Sequence, residues 1–222
     1  MFKNRFLLLG VMKAVILAAG YNKRLKDILI DIPKTLLKVG DSTVLERQIN
    51  ALKKAGFNKT DIFIVAGYKS EMIKKIHDNL IMNDKYIEYD NGYSVYLALD
   101  YLSKSGSTYN EEVLIFDGDL VYDENLIKQI LNFNKKDIMV TKEIDYVPNL
   151  KDEVMIVDNS SKITKMIIPI KDHTFGEEYK STKLFSYIGI MKISGENIIK
   201  LRDLLKKPEF LKGWYTIPLV DI

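Results

Sequence analysis

The sequence predicts a three-layer α/β fold built on a mostly parallel, mixed β-sheet. Three observations carry that prediction. Short runs rich in Val, Ile and Leu alternate with amphipathic segments of helical period through the first two thirds of the chain. The best of these runs are apolar throughout rather than every second residue, as strands covered on both faces are. From about Asp137 the helices thin out while strand-like runs continue, so the sheet is mixed rather than purely parallel.

The elements follow in order. Ala14–Ala18 reads as a buried strand. "STVLERQINALKKAG" reads as a helix: Thr43 and Glu46 have capping-box spacing, Leu45, Ile49 and Leu52 share a face, and Gly56 supplies the stop. "DIFIVAGY" is the next strand and ends at Gly67. "SEMIKKIHDNL" is predicted helical with Met72, Ile73, Ile76 and Leu80 inward, and "YIEY" a short strand. "YSVYLALDYLSKSG" is a helix with Ser94 or Asn91 as its cap, "EVLIFDGD" a strand, and "DENLIKQILNF" a helix with Leu126, Ile127, Ile130 and Leu131 inward. "DIMVT", "EVMIVD", "KITKMIIPI" and "LFSYIGIMKI" are strands. "SGENIIKLRDLLKK" closes as a helix capped by Ser194.

Composition bounds the function. The chain has 222 residues, 47% hydrophobic and 28% charged, enough to bury a substantial core, and 1–222 is expected to be a single domain. Its 33 basic and 30 acidic residues are interspersed, with net charge +3, and no basic stripe marks a nucleic-acid binder. Without cysteine there is no disulfide framework and no thiolate metal site. No apolar run reaches the ~20 residues that span a bilayer. The start imitates a signal peptide, but Lys13 interrupts its apolar run and Val15–Leu17 belong to a core strand. Met12 opens a complete strand-plus-loop beginning, so Met1–Val11 is read as an extension and the protein as cytoplasmic. His77 and His173 are expected at the surface.

In an open α/β sheet, ligands bind beyond the carboxyl ends of the strands. The first such end is "LAAGYNKR". Small residues at Ala18, Ala19 and Gly20 let backbone N–H groups approach a ligand closely. Arg24 and Lys34 follow and suit phosphate oxygens, although a surface loop with solvated cations would read the same. The three glycines of a dinucleotide fingerprint and the P-loop pattern are both missing. Another end is "LIFDGDLVYD", where Asp119 stands at a strand tip. There a hard cation such as Mg²⁺ would be shared with substrate phosphates. A cationic loop facing an acidic strand end suits a magnesium–nucleoside triphosphate.

At this point the chain resembles a known family. "LAAG…R…PK", the following Leu-Glu-Arg-Gln-Ile, "IFIVAGY" and the later Gly-Asp are similar to the nucleotidyltransferases that activate sugar phosphates and phospho-alcohols. "NDKYIEYDNGYSVYLALDYL" resembles the phosphocholine and inositol-1-phosphate cytidylyltransferase branches in particular. The resemblance covers roughly Lys13–Lys192. It implies the nucleotide-diphospho-sugar transferase type of fold, with a Rossmann-like nucleotide-binding N-terminal half. It also implies a reaction in which a nucleoside triphosphate, CTP in these branches, condenses with a phosphorylated small alcohol or sugar and releases pyrophosphate. By motif match, Arg24 and Lys34 grip the triphosphate and Asp119 holds Mg²⁺. Leu17, Ala18, Ala19 and Gly20 contact the nucleotide through the backbone, and Asn91, Gly92 and Ser94 reach the base or ribose. Lys171 is the candidate for the acceptor phosphate.

The sequence departs from the family twice. Asn22 stands where a second glycine is usual in the first loop; asparagine tolerates positive φ best among the other residues. Family members also carry a second metal-binding aspartate on a late strand. Either Asp221 takes that place or the closing strand lies outside these 222 residues. Two other readings stay open: a metal-dependent glycosyltransferase using Asp117-Gly-Asp119 as its D-x-D, and a non-catalytic nucleotide-binding relative.

Overall fold

Strand β1 (Met12–Ala18) is buried along nearly its whole length, with Ala14, Val15 and Ile16 fully inaccessible. Consecutive buried residues mean that both faces of the strand are covered, as the unbroken apolar run requires. The computed structural model of the chain describes residues 12–21, 31–105, 111–146, 153–167, 179–216 and 218–219. These form two compact units, one within 12–138 and 191–219 and one within 139–190.

In the first unit β1 lies parallel between β4 (Ile62–Ala66) and β6 (Glu112–Asp117). Leu17 is level with Val65 on one side and with Asp117 on the other, so the three strands end side by side and their following loops emerge at one edge. β5 (Leu80–Met82) adds in parallel outside β4. β10 (Leu184–Ser194) follows β6 in the sheet order, and its last residues, 191–194, belong to this unit. A two-residue hairpin of β2 (Lys38–Val39) and β3 (Ser42–Thr43) leads into α1 (Val44–Lys54).

The capping box read from the sequence is present. Thr43 Oγ1 accepts from the Glu46 N–H at 3.2 Å, and Glu46 Oε2 accepts from the Thr43 N–H at 2.7 Å. Leu45, Ile49 and Leu52 face inward, and Gly56 ends the helix at φ +107°. Burying side chains of this size is worth about 1.5–3 kcal/mol each. α1 packs on α4 (Glu124–Asn132), whose cap is Asp123. α3 (Asn91–Lys104) packs on α5 (Glu196–Leu205) and α6 (Pro208–Leu211).

Four local expectations are corrected. Helix α2 covers only Ser70–Lys74, and Leu80 lies in strand β5 instead of on the helix. Leaving the helix early lets 80–82 pair with Ile64–Ala66, which satisfies backbone groups that would otherwise form a bare edge. Tyr86–Tyr89 is a turn, not a strand; four residues are too few for alternation to decide. His77 is 1% exposed rather than on the surface, and its Nε2 lies 2.8 Å from the Ile62 carbonyl, which requires that nitrogen to donate. At α5 the cap is Gly195, at φ 54° and ψ −129°, because Ser194 is the end of β10. Both its N–H and its hydroxyl donate to Asp137 Oδ1, at 2.8 and 3.2 Å. His173 lies outside the described residues.

The second unit is antiparallel, in line with the change of rhythm after Asp137. β8 (Val154–Val157) pairs with β9 (Ile163–Ile167) and with the first part of β10, and β7 (Ile138–Ile144) also pairs with β10. Val154 and Leu184 are its buried centre, with Ile144, Tyr146, Ile156, Ile167 and Tyr179 packed around them.

Candidate active site

The aligned carboxyl ends of β1, β4 and β6 open onto a cleft of about 900 Å³ within the first unit. Its floor is Leu17, Ala18, Ala19 and Gly20. Among the described residues nothing lies within 4 Å of where a Cβ on Gly20 would be, and Gly20 lines the cleft. One wall carries Tyr21 and Tyr86, with Tyr68 in contact with both. Tyr21 meets Tyr68 edge-on at 4.9 Å between ring centroids, and Tyr68 meets Tyr86 at 6.2 Å. Behind this wall the Lys69 ammonium, hydrogen-bonded to Asp31 at 3.0 Å, holds that carboxyl below its ordinary value.

The turn after β6 carries the Asp-Gly-Asp motif and is held from two sides. A Cβ on Gly118 would stand 2.2 Å from the Leu17 carbonyl oxygen, so only glycine lets the turn lie against the end of β1. From below, Gln48 Nε2 donates to the carbonyls of Asp117 and Leu120, both at 2.9 Å. Those two carbonyls bracket Gly118 and Asp119. Gln48 is fully buried, so its amide is a permanent part of the turn's support.

Lys34 reaches the same point from another segment. Pro33 precedes a single 3-10 turn, Lys34–Leu36, in which Thr35 is buried. The Lys34 ammonium forms an ion pair with Asp119, and both side chains are nearly half exposed to the cleft. Asp117 lies beside them; Tyr215 Oη donates to its Oδ1 at 3.4 Å. Tyr215 is itself buried, and its N–H donates to Asn91 Oδ1 at 3.2 Å.

The start of α3 forms the far side. Its cap is Asp90, whose carboxylate accepts from the Asn91 N–H, so neither Asn91 nor Ser94 does the capping. Asn91 and Ser94 line the cleft; Gly92 does not. The Gly92 N–H donates to Gly213 O at 3.1 Å, and a Cβ there would come within 2.7 Å of two carbonyl oxygens, those of Gly213 and Phe210. Gly92 is therefore the close-packing point between α3 and the 210–213 segment. Successive helical residues point about 100° apart, so neighbours in sequence do not share a face.

The structure thus brings Leu17, Ala18, Ala19, Gly20, Lys34, Asn91, Ser94 and Asp119 to one cleft. Arg24, Lys171 and Asp221, like Asn22, lie outside the described residues. Reading the motifs missed Gln48, Asn83, Tyr215 and Lys212. For Gln48 a signal existed: it falls on the same helical face as Leu45 and Leu52, and a polar side chain there must have buried partners. Tyr215 meets Asn91 and Asp117 about a hundred residues away, which left no local sign.

A parallel sheet end with a bare backbone floor and a Lys–Asp pair across its mouth defines the α/β nucleotidyltransferase class. The chain belongs to the family of MobA-like NTP transferase domains, whose model matches residues 14–149. It is 30% identical over 195 residues to the choline-phosphate cytidylyltransferase of Streptococcus pneumoniae, covering 83% of this chain and 79% of that protein. It spans 46% and 47% of the length of two other curated relatives it matches. Among solved structures, CTP:phosphocholine cytidylyltransferase from Streptococcus pneumoniae superimposes with TM-score 0.70 at 22% identity, covering 95% of this chain and 84% of that one. The inositol-1-phosphate CTP transferase from T. maritima does so with TM-score 0.65 at 18% identity, covering 96% and 82%. Among the described residues no helix is long and apolar enough to cross a membrane.

Proposed function

We propose that the chain transfers a cytidylyl group from CTP to the phosphate or phosphonate of a small alcohol-derived acceptor, with release of pyrophosphate. The observation that carries this reading is the Lys34–Asp119 pair, set across the mouth of a cleft whose floor is bare backbone. The pair presents a cation for phosphate oxygens and an anion for a metal ion at one point. The names of the relatives support the choice of CTP. A reaction fed by a nucleoside triphosphate pool belongs in the cytoplasm.

Mg²⁺ fits the residues present. Among the described residues no cluster of three acidic or histidine side chains is set to cage a metal. Magnesium does not need one: a carboxylate or two, substrate phosphates and water complete its octahedron. Asp119 would hold it, with Asp117 one turn away. When bound, the ion supplies charge neutralisation on the triphosphate oxygens.

The chain's own residues would do the rest. A phosphate monoester has its second pKa near 6, so the acceptor arrives largely as the dianion and needs no general base. Consistent with this, His77 is buried against Ile62 O and does not line the cleft. An acceptor oxygen attacks the α-phosphorus in line; the bond to the bridging oxygen breaks, and the electron pair leaves with pyrophosphate. Lys34, released from Asp119 as ligand enters, neutralises charge gathering on the phosphate oxygens, and Arg24 shares that role. Backbone N–H groups at Ala19 and Gly20 steady the nucleotide. The contribution is positioning and charge rather than proton transfer.

The test is pyrophosphate release with Mg²⁺, each of CTP, UTP, GTP and ATP, and a panel of phosphocholine, inositol-1-phosphate, 2-aminoethylphosphonate and hexose-1-phosphates. Release with CTP and one acceptor is expected. Release only with another nucleotide overturns the cytidylyl assignment, and absence of nucleotide binding overturns the reading of the cleft.

A further inference from the structure

Two lysines line the cleft among the described residues, and they differ in one respect. Lys34 is paired with Asp119. Lys212 is exposed, and its ammonium makes no ion pair or hydrogen bond among the described residues. The backbone that presents Lys212 is fixed on both sides of it. The Asp90 N–H donates to the Leu211 carbonyl at 3.2 Å, and the Gly92 N–H donates to the Gly213 carbonyl at 3.1 Å. The reach of this cation is therefore set by its own flexible stem.

The carboxylates on this side of the cleft are engaged elsewhere. Asp90 accepts from the Asn91 N–H at 3.0 Å. Glu88 acts on the Tyr89 hydroxyl and pushes its pKa above the ordinary tyrosine value. The Tyr89 ring has its own neighbours, the Lys85 ammonium 5.3 Å from its centroid and the Tyr93 ring at 4.9 Å. An ammonium group arriving here would meet an aromatic ring that already has a cation, and a second cation in Lys212. An anion would meet Lys212 without having to break a pair, which is where a charge-assisted hydrogen bond gains most. Tyr215 links this segment to the Asp-Gly-Asp turn: its N–H meets Asn91 Oδ1 at 3.2 Å and its hydroxyl meets Asp117 Oδ1 at 3.4 Å. A small molecule with its phosphate at the Lys34–Asp119 pair thus turns its other end toward the segment that carries Lys212.

We infer that Lys212 receives a carboxylate carried by the acceptor beside its reacting phosphate, so that this cleft prefers phosphorylated or phosphonylated acids to neutral or cationic phospho-alcohols. The inference rests on the reading of the cleft as the transfer site, and it names the acceptor class that reading leaves open. Lys212 is a specificity-determining residue in this scheme. The triphosphate is met by Lys34 and by the ion at Asp119, and does not need it.

Matched acceptors test it. O-phosphoserine and phosphoethanolamine differ only in a carboxylate; 3-phosphoglycerate and glycerol 3-phosphate differ only in a carboxylate replacing a hydroxymethyl group. Pyrophosphate release with CTP and Mg²⁺ would be measured for all four on the full chain, with calorimetric binding of each acceptor and of CTP. The wild type should favour the acid in each pair by about tenfold in kcat/KM or affinity. Lys212→Ala should melt as the wild type does, keep its affinity for CTP and bring the ratio close to one. Lys212→Glu should turn the first pair in favour of phosphoethanolamine. Equal weakening of both members of each pair in Lys212→Ala would place Lys212 on the reacting phosphate and overturn the inference. So would a weaker affinity for CTP with the ratio unmoved. No preference in the wild type, by turnover or by binding, overturns it as well, and CTP binding then leaves the nucleotide site standing. A wild-type chain that does not bind CTP overturns the reading of the cleft and this inference with it.

Discussion

Lys34 and Asp119 form an ion pair across 85 residues of sequence, one from the 3-10 turn after Pro33 and the other from the turn after β6. Each has a buried neighbour: Thr35 follows Lys34, and Gln48 holds the turn that carries Asp119 through two hydrogen bonds. The pair marks where two turns meet, and its charges, nearly half exposed, remain available to a ligand.

Exposed pairs of this kind contribute about 0–1 kcal/mol to stability. Lys34→Ala should therefore melt within a few degrees of the wild type, yet lose pyrophosphate release by a factor of roughly a hundred or more. Asp119→Asn should behave alike. Near-normal turnover in Lys34→Ala would remove that residue from the phosphate grip.

Gln48 makes the opposite prediction. Gln48→Met keeps the volume but strips two buried carbonyls of their donor, at a cost of roughly 1–3 kcal/mol each where no water replaces it. Urea denaturation should show a clear drop in midpoint. Nucleotide transfer should fall as well, because the turn carrying Asp119 loses its support.

Two glycines at the cleft should respond differently to the same change. Gly118→Ala places a Cβ 2.2 Å from the Leu17 carbonyl oxygen, which forces backbone to move; a loss of about 1–3 kcal/mol or more is expected in denaturation. Gly20→Ala meets nothing within 4 Å among the described residues and should leave stability unchanged. A weaker apparent affinity for CTP in Gly20→Ala, with a wild-type melt, would support close backbone approach there.

The capping box gives a pH prediction. The Thr43 backbone N–H and then its hydroxyl hold the Glu46 carboxyl below the ordinary glutamate value of 4.5. Its folded pKa is thus lower than its unfolded one. Near pH 4 the unfolded chain binds more protons at this site, so stability rises with pH through that window and is lost as pH falls through the folded pKa. Glu46→Gln should flatten the acid limb of a urea-midpoint profile between about pH 3 and 5 and leave its neutral plateau little changed. An unaltered acid limb would assign the loss to other carboxylates.

What the residues determine by themselves is local. β1 and β6 were legible because an unbroken apolar run has few other places to go, and α1 because its cap, its inward face and its glycine stop all lie within fourteen residues. The cationic loop and Asp119 stood out because strand ends are where an α/β sheet meets its ligand. Tertiary structure decided the rest. β5 exists because β4 offered an open edge, and His77 is buried with its Nε2 on the Ile62 carbonyl, fifteen residues back. Gly92 left the cleft because a closely packed carbonyl pair requires a residue without a side chain, whatever its neighbours in sequence do. Gln48 and Tyr215 acquired their roles from partners brought together by folding. Helical period and capping act over a few residues and can be read in order. A hydrogen bond between distant segments depends on where the whole sheet sets their ends.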